Sequence, residues 1–149
     1  MSNKINNSGE VFAWSMYDFA NQPFTNLVVT FIYGTFFTTV IASNEIVGTQ
    51  QWSHAISITA IIVALLSPLM GALADKGGYR KMFMLIFTWI TIIATTVLYF
   101  VLPGEILKAL FWFVIANIGF EMGSVFCNAY LPDISHSKNI GRVSGYGWS

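Results

Sequence analysis

The stretch Gly71-Ala-Leu-Ala-Asp75-Lys76-Gly77-Gly78-Tyr79-Arg80-Lys81 decides how this chain folds. It concentrates one acid and three bases in a sequence that is only 9% charged, and it separates two long apolar runs. The Gly77-Gly78 pair interrupts helical periodicity and favours a tight turn. Because such a density of charge cannot lie in hydrocarbon, we expect a short connection at a membrane surface, with one helix entering it and another leaving it.

The composition indicates a membrane protein. Of the 149 residues, 55% are hydrophobic and 16% are aromatic, and a soluble domain would carry about a quarter charged residues. The formal net charge of zero argues against a nucleic-acid partner, since there is no basic surplus to neutralise phosphates. The single cysteine, Cys127, excludes an internal disulfide. His54 and His136 have no ligands at suitable spacing, so we expect no metal site and no cofactor.

The apolar runs predict an all-α integral membrane fold with four transmembrane helices. We expect these helices over residues 11–42, 52–74, 82–102 and 106–130. Pro23 should bend the first helix, because it lacks a backbone donor and crowds the preceding turn. The polar run 43–51 should be a loop, and Pro132 should end the fourth helix.

The lysines and arginines predict the orientation of the helices. Six of the seven would lie on one side of the membrane, in the N-terminus, the 71–81 connection and the tail, and only Lys108 would lie on the other. This asymmetry follows the positive-inside rule and places those three segments in the cytoplasm. We therefore divide the chain into a cytoplasmic N-terminus (1–10), a transmembrane region (11–131), and a cytoplasmic loop with the start of a truncated fifth helix (132–149).

Two stripes of polar side chains lie inside the predicted spans. One face of the fourth helix carries Asn117, Glu121, Ser124 and Asn128. The first helix carries Asp18, Asn21 and Thr25 at similar spacing. Residues spaced three and four apart share one face of a helix. A charge at the bilayer centre costs about 2.5–3.5 kcal/mol on insertion scales, so both stripes should face protein or a water-filled cavity.

The two carboxylates are the candidate functional groups. Position along the helices places Asp18 and Glu121 in the same cytoplasmic half, so we predict that they face a common cavity and carry protons. Two structural alternatives stay open. Glu121 could simply hydrogen-bond a neighbouring helix, and Asp18 could be a solvated residue near the start of its helix.

Other polar or small residues in the spans have a structural interpretation. The third helix contributes only Thr88, Thr91 and Thr95, whose hydroxyls can bond to their own backbone four residues back. Gly119 and Gly123 on the fourth helix form a small-xxx-small pair, which is typical of close helix packing.

The opening stretch resembles the signature loop between helices two and three of the major facilitator superfamily of transporters. The matching positions are Gly71, Leu73, Asp75, Lys76, Gly78, Arg80 and Lys81. Tyr79 stands where that pattern usually has a base. The resemblance implies that Asp75 would contact the positive end of a helix from the second half of such a transporter. Without that helix, Asp75 should have only Lys76, Arg80 and Lys81 as local partners.

Three further stretches, residues 14–21, 128–134 and 141–148, resemble the vacuolar effluxer-like family. Eukaryotic members of that family are associated with amino-acid export from the vacuole. The resemblance implies part of the N-terminal six-helix half of a transporter, in a bacterial inner membrane or a eukaryotic vacuolar membrane. In the superfamily, helices one and four line the substrate path, and these are the helices that carry the two polar stripes.

We therefore expect the incomplete N-terminal part of a proton-coupled secondary transporter for small solutes, with amino acids as the candidate solute. Alternating access needs two halves, so the chain should not transport alone. Its partners would be the bilayer, the solute and the remaining part of the transporter. Two alternatives stay open: a four-span exporter that works as an oligomer, and an inactive membrane scaffold. The sequence has no nucleophile paired with a base, so nothing in it suggests an enzyme.

Overall fold

The computed structural model describes the backbone of residues 8–134 and the side chains of residues 9–73 and 78–130. Regular structure in this part of the chain is helical throughout. In chain order it comprises α1 (Ser8–Pro23), a π-helical segment (Phe24–Phe31), α2 (Tyr33–Phe36), a second π-helical segment (Phe37–Ile41), α3 (Glu45–Gly77), α4 (Arg80–Leu98) and α5 (Ile106–Ile134).

These elements form four stretches that are long and apolar enough to cross a membrane. The spans are Gly9–Ile41, Glu45–Leu73, Arg80–Leu98 and Ile106–Tyr130. The predicted all-α membrane fold with four spans is confirmed. Residues 1–7 and 135–149, including the predicted start of a fifth helix, lie outside the described residues.

The connection between α3 and α4 is as short as the sequence predicts. Because α3 ends at Gly77 and α4 begins at Arg80, only Gly78 and Tyr79 lie between the two helices. Gly78 has a φ of 65°, a left-handed conformation that glycine adopts without steric cost. The side chains of Asp75 and Lys76 are outside the described ones, so the predicted local ion pairs of Asp75 stay a prediction.

The predicted loop over residues 43–51 is wrong, because α3 already begins at Glu45. The side chain of Asn44 accepts a hydrogen bond from the Ile46 N–H at 2.8 Å and so caps the first turn. Gly48, which suggested a loop, instead lies where the start of α3 packs closely against the end of the first span. A Cβ built on it would lie 2.7 Å from the Cβ of Ala42.

The first span changes its hydrogen-bond pattern at Pro23. The α-helical geometry ends there, and the wider π-helical geometry that follows bonds Ile32 N to Leu27 O, five residues back, at 2.8 Å. Pro23 has no N–H and its ring crowds the carbonyl four residues earlier, which favours a change of pattern at this position. The sequence indicated an irregularity at Pro23 but not the π-helical segment after it.

The last two predicted helices differ from the structure mainly at their ends. The third span ends at Leu98 rather than residue 102, and the connection to α5 contains Gly104, whose N–H bonds to Ile41 O at 3.2 Å. That bond ties the connection to the end of the first span. The prediction that Pro132 ends the fourth helix is wrong, since the α5 backbone continues to Ile134.

An aromatic cluster joins the first, second and fourth spans. The Trp52 ring centroid lies 3.8 Å from that of Phe113 on α5 and 5.2 Å from that of Phe37. The Trp52 indole N–H donates to Val29 O at 3.3 Å, a carbonyl of the first π-helical segment. Gly34 allows this approach, because a Cβ there would lie 2.8 Å from the same oxygen.

Candidate transport-pathway residues

Helix α5 is the centre of the bundle. In the fourth span 44% of an 18-residue apolar stretch is buried inside the protein. The corresponding shares in the first, second and third spans are 17%, 6% and 11%. Its buried residues include Ala109, Phe113, Ala116, Met122, Phe126 and Cys127. The remaining helices are therefore positioned by what they contact on α5.

Helix α4 crosses α5 at the two glycines that the sequence singled out. A Cβ on Gly119 would lie 3.0 Å from Phe87 O and 3.1 Å from Thr91 N, both backbone atoms of α4. A Cβ on Gly123 would lie 3.3 Å from the Tyr17 hydroxyl of α1. The prediction of close helix packing at this pair is confirmed.

Helix α1 lies against α5 beside α4. The indole N–H of the buried Trp14 donates to Cys127 O at 2.8 Å. One turn later, the Tyr17 hydroxyl lies 2.6 Å from the Thr88 hydroxyl of α4. These contacts fix both the position of α1 and the side of α1 that faces α4.

Asp18 and Glu121 lie on the other side of this contact. Asp18 follows Tyr17 by one residue, about 100° around α1 from the side chain that contacts α4. Glu121 follows Gly119 by two residues, about 200° around α5 from its contact with α4. Asp18 is half-buried and Glu121 is exposed. Both carboxylates therefore border the α1–α5 contact on the side away from α4, and a shared cavity there stays a prediction.

The amides of the α5 stripe differ in burial. Asn128 is exposed like Glu121, whereas Asn117 is only 5% exposed. Among the described residues, no side chain or carbonyl forms a hydrogen bond with the Asn117 amide. The Asn117 amide is not among the fully buried side-chain atoms that lack a partner, so it keeps contact with solvent and can bond to water or to a solute.

Asn21 occupies a different place from the two carboxylates. It lines a cleft of about 410 Å³ between α1 and α4, together with Tyr17, Thr88 and Thr91. Neither Asp18 nor Glu121 lines this cleft. The predicted stripe on the first helix is therefore divided between two sides of α1.

The threonines of α4 only partly follow their structural interpretation. Thr88 and Thr91 bond to carbonyls four residues back, at 2.8 and 2.9 Å, as predicted. The Thr95 hydroxyl is buried and has no partner among the described residues. The Tyr17–Thr88 hydrogen bond was missed, because two hydroxyl residues 71 positions apart give no signal in a single sequence.

Comparison with known proteins assigns the family. A family model described as "Vacuole effluxer Atg22 like" matches residues 52–144. The chain belongs to this family. The chain is 29% identical over 139 residues to the "Uncharacterized MFS-type transporter YxiO" of Bacillus subtilis (strain 168). The aligned stretch covers 91% of this chain and 32% of that protein. It is 37% identical over 79 residues to "Autophagy-related protein 22" of Coccidioides immitis (strain RS), covering 53% of this chain and 13% of that protein. No solved structure matches the chain significantly.

These relatives confirm the resemblance to major facilitator transporters and to the effluxer-like family. The four helices fit part of the N-terminal half of a major facilitator fold, and the chain is a multi-pass membrane protein. The chain spans about a third (32%) of the length of YxiO. The family is one of transporters, which is not an enzyme class.

The structure describes some of the side chains of the signature loop. Leu73 and Lys81 are exposed, and the Arg80 guanidinium donates through Nη1 to Ala129 O at 3.2 Å. Arg80 therefore ties the start of α4 to the last turns of α5. Within the described residues, no group of three or more His, Cys, Asp or Glu side chains could hold a metal ion.

Proposed function

We propose that the chain forms part of the solute pathway of a proton-coupled secondary transporter, with α1 and α5 as walls of that pathway. The observation that supports this proposal is the exposure of two polar side chains of the α5 stripe. Glu121 and Asn128 are exposed in an apolar span whose opposite face, at Gly119, packs against α4. Because a lipid-facing charge costs about 2.5–3.5 kcal/mol, this side should meet water or the rest of the transporter.

Each polar residue has a proposed role on that pathway. Glu121 is the proton-coupling carboxylate, and Asp18 is a second carboxylate on the opposite wall. The Asn117 and Asn128 amides donate and accept hydrogen bonds, which suits small polar solutes with both kinds of group. Amino acids are such solutes, and the family description "Vacuole effluxer" agrees with export of a small molecule.

The chain is proposed to act together with further helices. YxiO, which is about three times as long, is described as an MFS-type transporter, and alternating access in such proteins moves two halves about a central site. We propose that residues 1–10 and 132–149 lie in the cytoplasm on either side of the transmembrane region 11–131. The exposed Leu73 and Lys81 then belong to a cytoplasmic loop that contacts the other half.

Reconstitution into vesicles tests the proposal. The chain is reconstituted alone, and also joined to the part of YxiO that it does not cover, and amino-acid movement is driven by an imposed pH gradient. We expect no transport by the chain alone and transport by the joined protein. Glu121→Gln should abolish pH-driven transport by the joined protein, whereas Glu105→Gln, at the opposite end of the fourth span, should leave it unchanged.

The alternatives give different results in the same assay. Robust transport by the chain alone would support the four-span oligomeric exporter and overturn the need for further helices. An inactive scaffold predicts that neither the chain nor the joined protein transports. Unchanged proton coupling in the Glu121→Gln protein would remove Glu121 from its proposed role.

A further inference from the structure

The cleft between α1 and α4 contains polar groups that the two helices do not use themselves. It has a volume of about 410 Å³ and extends from Tyr17 to Val28 along α1 and from Thr88 to Thr96 along α4. The hydrogen bond between Tyr17 and Thr88 closes the end of the cleft that is nearest the starts of both helices. The two carboxylates of the proposed solute pathway do not line the cleft, so it is a separate site.

The Asn21 amide is the polar group that a ligand in this cleft can reach. Asn21 lines the cleft one turn after Tyr17, about 6 Å further along α1. Among the described residues, no group forms a hydrogen bond with its side chain. Its amide atoms are not fully buried, so they stay accessible from the cleft. Because an amide both donates and accepts, it suits a hydroxyl group, which does the same.

The hydroxyl of Thr95 is a second polar group that the helices leave unused. The other threonines that line the cleft bond to backbone carbonyls four residues back, at 2.8, 2.9 and 2.8 Å for Thr88, Thr91 and Thr96. The Thr95 hydroxyl is buried and has no partner in the part of the chain that the structure describes. Threonine in a helix adopts two χ1 rotamers, so a change of rotamer can bring this hydroxyl to a ligand oxygen. Such a bond would remove the cost of a buried hydroxyl without a partner.

The remaining walls of the cleft are apolar. Phe24 and Phe120 line it with their rings stacked, at a centroid distance of 4.8 Å. Leu27 and Ile92 also line it and are each 48% exposed, so they form its rim toward the hydrocarbon. Within the described part of the chain, none of the residues that line the cleft is charged. A charged ligand would therefore lose its water without gaining a counter-ion.

We propose that this cleft binds an uncharged lipophilic alcohol that carries a ring and enters from the hydrocarbon. Its hydroxyl exchanges hydrogen bonds with the Asn21 amide, and its ring packs beside Phe24 and Phe120. A hydrocarbon of the same shape binds less well, because it leaves the amide without a partner. This binding does not require transport, so its failure and the failure of the proposed solute pathway are separate outcomes.

Photolabelling with a matched pair of probes tests the site. The chain in phosphatidylcholine nanodiscs is irradiated with 4-(hydroxymethyl)benzophenone or with 4-methylbenzophenone, which lacks the hydroxyl, and the labelled residues are mapped by peptide mass spectrometry. We expect the alcohol to label residues 20–28 and 88–96 about fivefold more than the methyl compound does. This preference corresponds to about 1 kcal/mol for one hydrogen bond. Equal labelling of the cleft by the two probes would overturn the proposal, and this comparison uses the unchanged chain.

Two pairs of variants locate the hydrogen bonds. Asn21→Leu should reduce labelling by the alcohol to the level of the methyl compound. Asn26→Leu is its matched control, because Asn26 is an exposed asparagine of the same span that does not line the cleft. Thr95→Val should also lower labelling, whereas Thr96→Val should not, since the Thr96 hydroxyl already bonds to Ile92 O at 2.8 Å. Equal effects of Asn21→Leu and Asn26→Leu would overturn the proposal.

The joined protein separates a bound alcohol from a packed helix. The chain joined to the part of YxiO that it does not cover is labelled with the same two probes. We expect the alcohol to label the same residues of α1 and α4 as in the chain alone. Loss of this labelling in the joined protein would assign the cleft to helix packing and overturn the proposal.

Discussion

Helix α5 is apolar along its length, yet one of its faces is packed against other helices and another is exposed. On one face Gly119 and Met122 are buried against α4 and α3. On the other face Glu121 and Asn128 are exposed. In a membrane, lipid is as apolar as leucine, so hydrophobicity does not distinguish a packed face from an open one. Residue size and polarity make the distinction, with small residues at the helix crossing and polar residues on the uncovered side.

The largest effect is expected from Gly119→Leu, set against Glu121→Leu two residues away. A side chain at position 119 collides with Phe87 O and Thr91 N, backbone atoms that lie 3.0 and 3.1 Å from a built Cβ. Overpacking typically costs about 1–3 kcal/mol, and a leucine here should exceed that range and separate α4 from α5. Glu121→Leu meets no such wall, so the chain should remain folded.

Thermal unfolding in detergent, followed by circular dichroism, measures both variants. Gly71→Ala serves as a control for the loss of a helical glycine, since a Cβ there has nothing within 4 Å. If Gly119→Leu and Glu121→Leu destabilise the chain equally, the distinction between a packed and an open face of α5 fails.

The second effect concerns the contact between α1 and the packed side of α5. Trp14→Phe removes the indole N–H that donates to Cys127 O at 2.8 Å but keeps most of the ring. The loss of one such hydrogen bond should cost about 0.5–1.5 kcal/mol. Trp89→Phe is the matched control, because Trp89 is 61% exposed. Equal unfolding midpoints for the two variants would mean that the Trp14 bond does not hold α1 in place.

Much of the fold follows from the sequence because it depends on local signals. Apolar length predicted the four spans, and the Gly77-Gly78 pair predicted the turn, where Gly78 adopts a φ of 65°. The start of α3 was predicted too late. Polar residues near a helix end suggest a loop, whereas here the Thr49 hydroxyl bonds to the backbone carbonyl of Glu45, four residues back, and the segment stays helical.

The site was less predictable, because its geometry depends on which helices are neighbours. Spacing placed Asp18 and Asn21 on one stripe, but the position of α4 puts Asn21 in a cleft that does not include Asp18. The sequence could not supply this division, since the Tyr17–Thr88 contact that orients α1 joins residues 71 positions apart. Helix spacing predicts which residues share a face, and only tertiary contacts decide what that face meets.

A smaller effect is expected at the Tyr17–Thr88 hydrogen bond, which separates the α4 side of α1 from the Asp18 side. The two hydroxyl oxygens lie 2.6 Å apart. Tyr17→Phe, Thr88→Val and the double variant form a cycle whose coupling energy should be about 0.6 kcal/mol, the average for such bonds within membranes. The cycle is measured by reversible unfolding in mixed micelles. A coupling energy of zero would mean that ring packing, and not this bond, sets the rotation of α1.

The smallest effect is expected just before the exposed first turn of α5, at Glu105. Its carboxylate accepts a hydrogen bond from the Leu102 N–H at 2.9 Å, and the Lys108 ammonium lies 3.0 Å away. The Leu102 N–H, and then Lys108, hold the pKa of Glu105 below its usual range. Because the folded pKa is the lower one, this stabilisation is fully present above the unfolded pKa of about 4.3 and is lost as the pH falls through the folded value.

Unfolding midpoints of the wild type and Glu105→Gln should therefore differ slightly at neutral pH and converge in acid. A second variant separates the two groups that lower the pKa of Glu105. Since the Leu102 N–H is the largest single cause of the lowered pKa of Glu105, Lys108→Gln should retain part of the pH dependence that Glu105→Gln removes. An equal loss in both variants would mean that the ion pair, rather than the turn around Leu102, holds this end of α5.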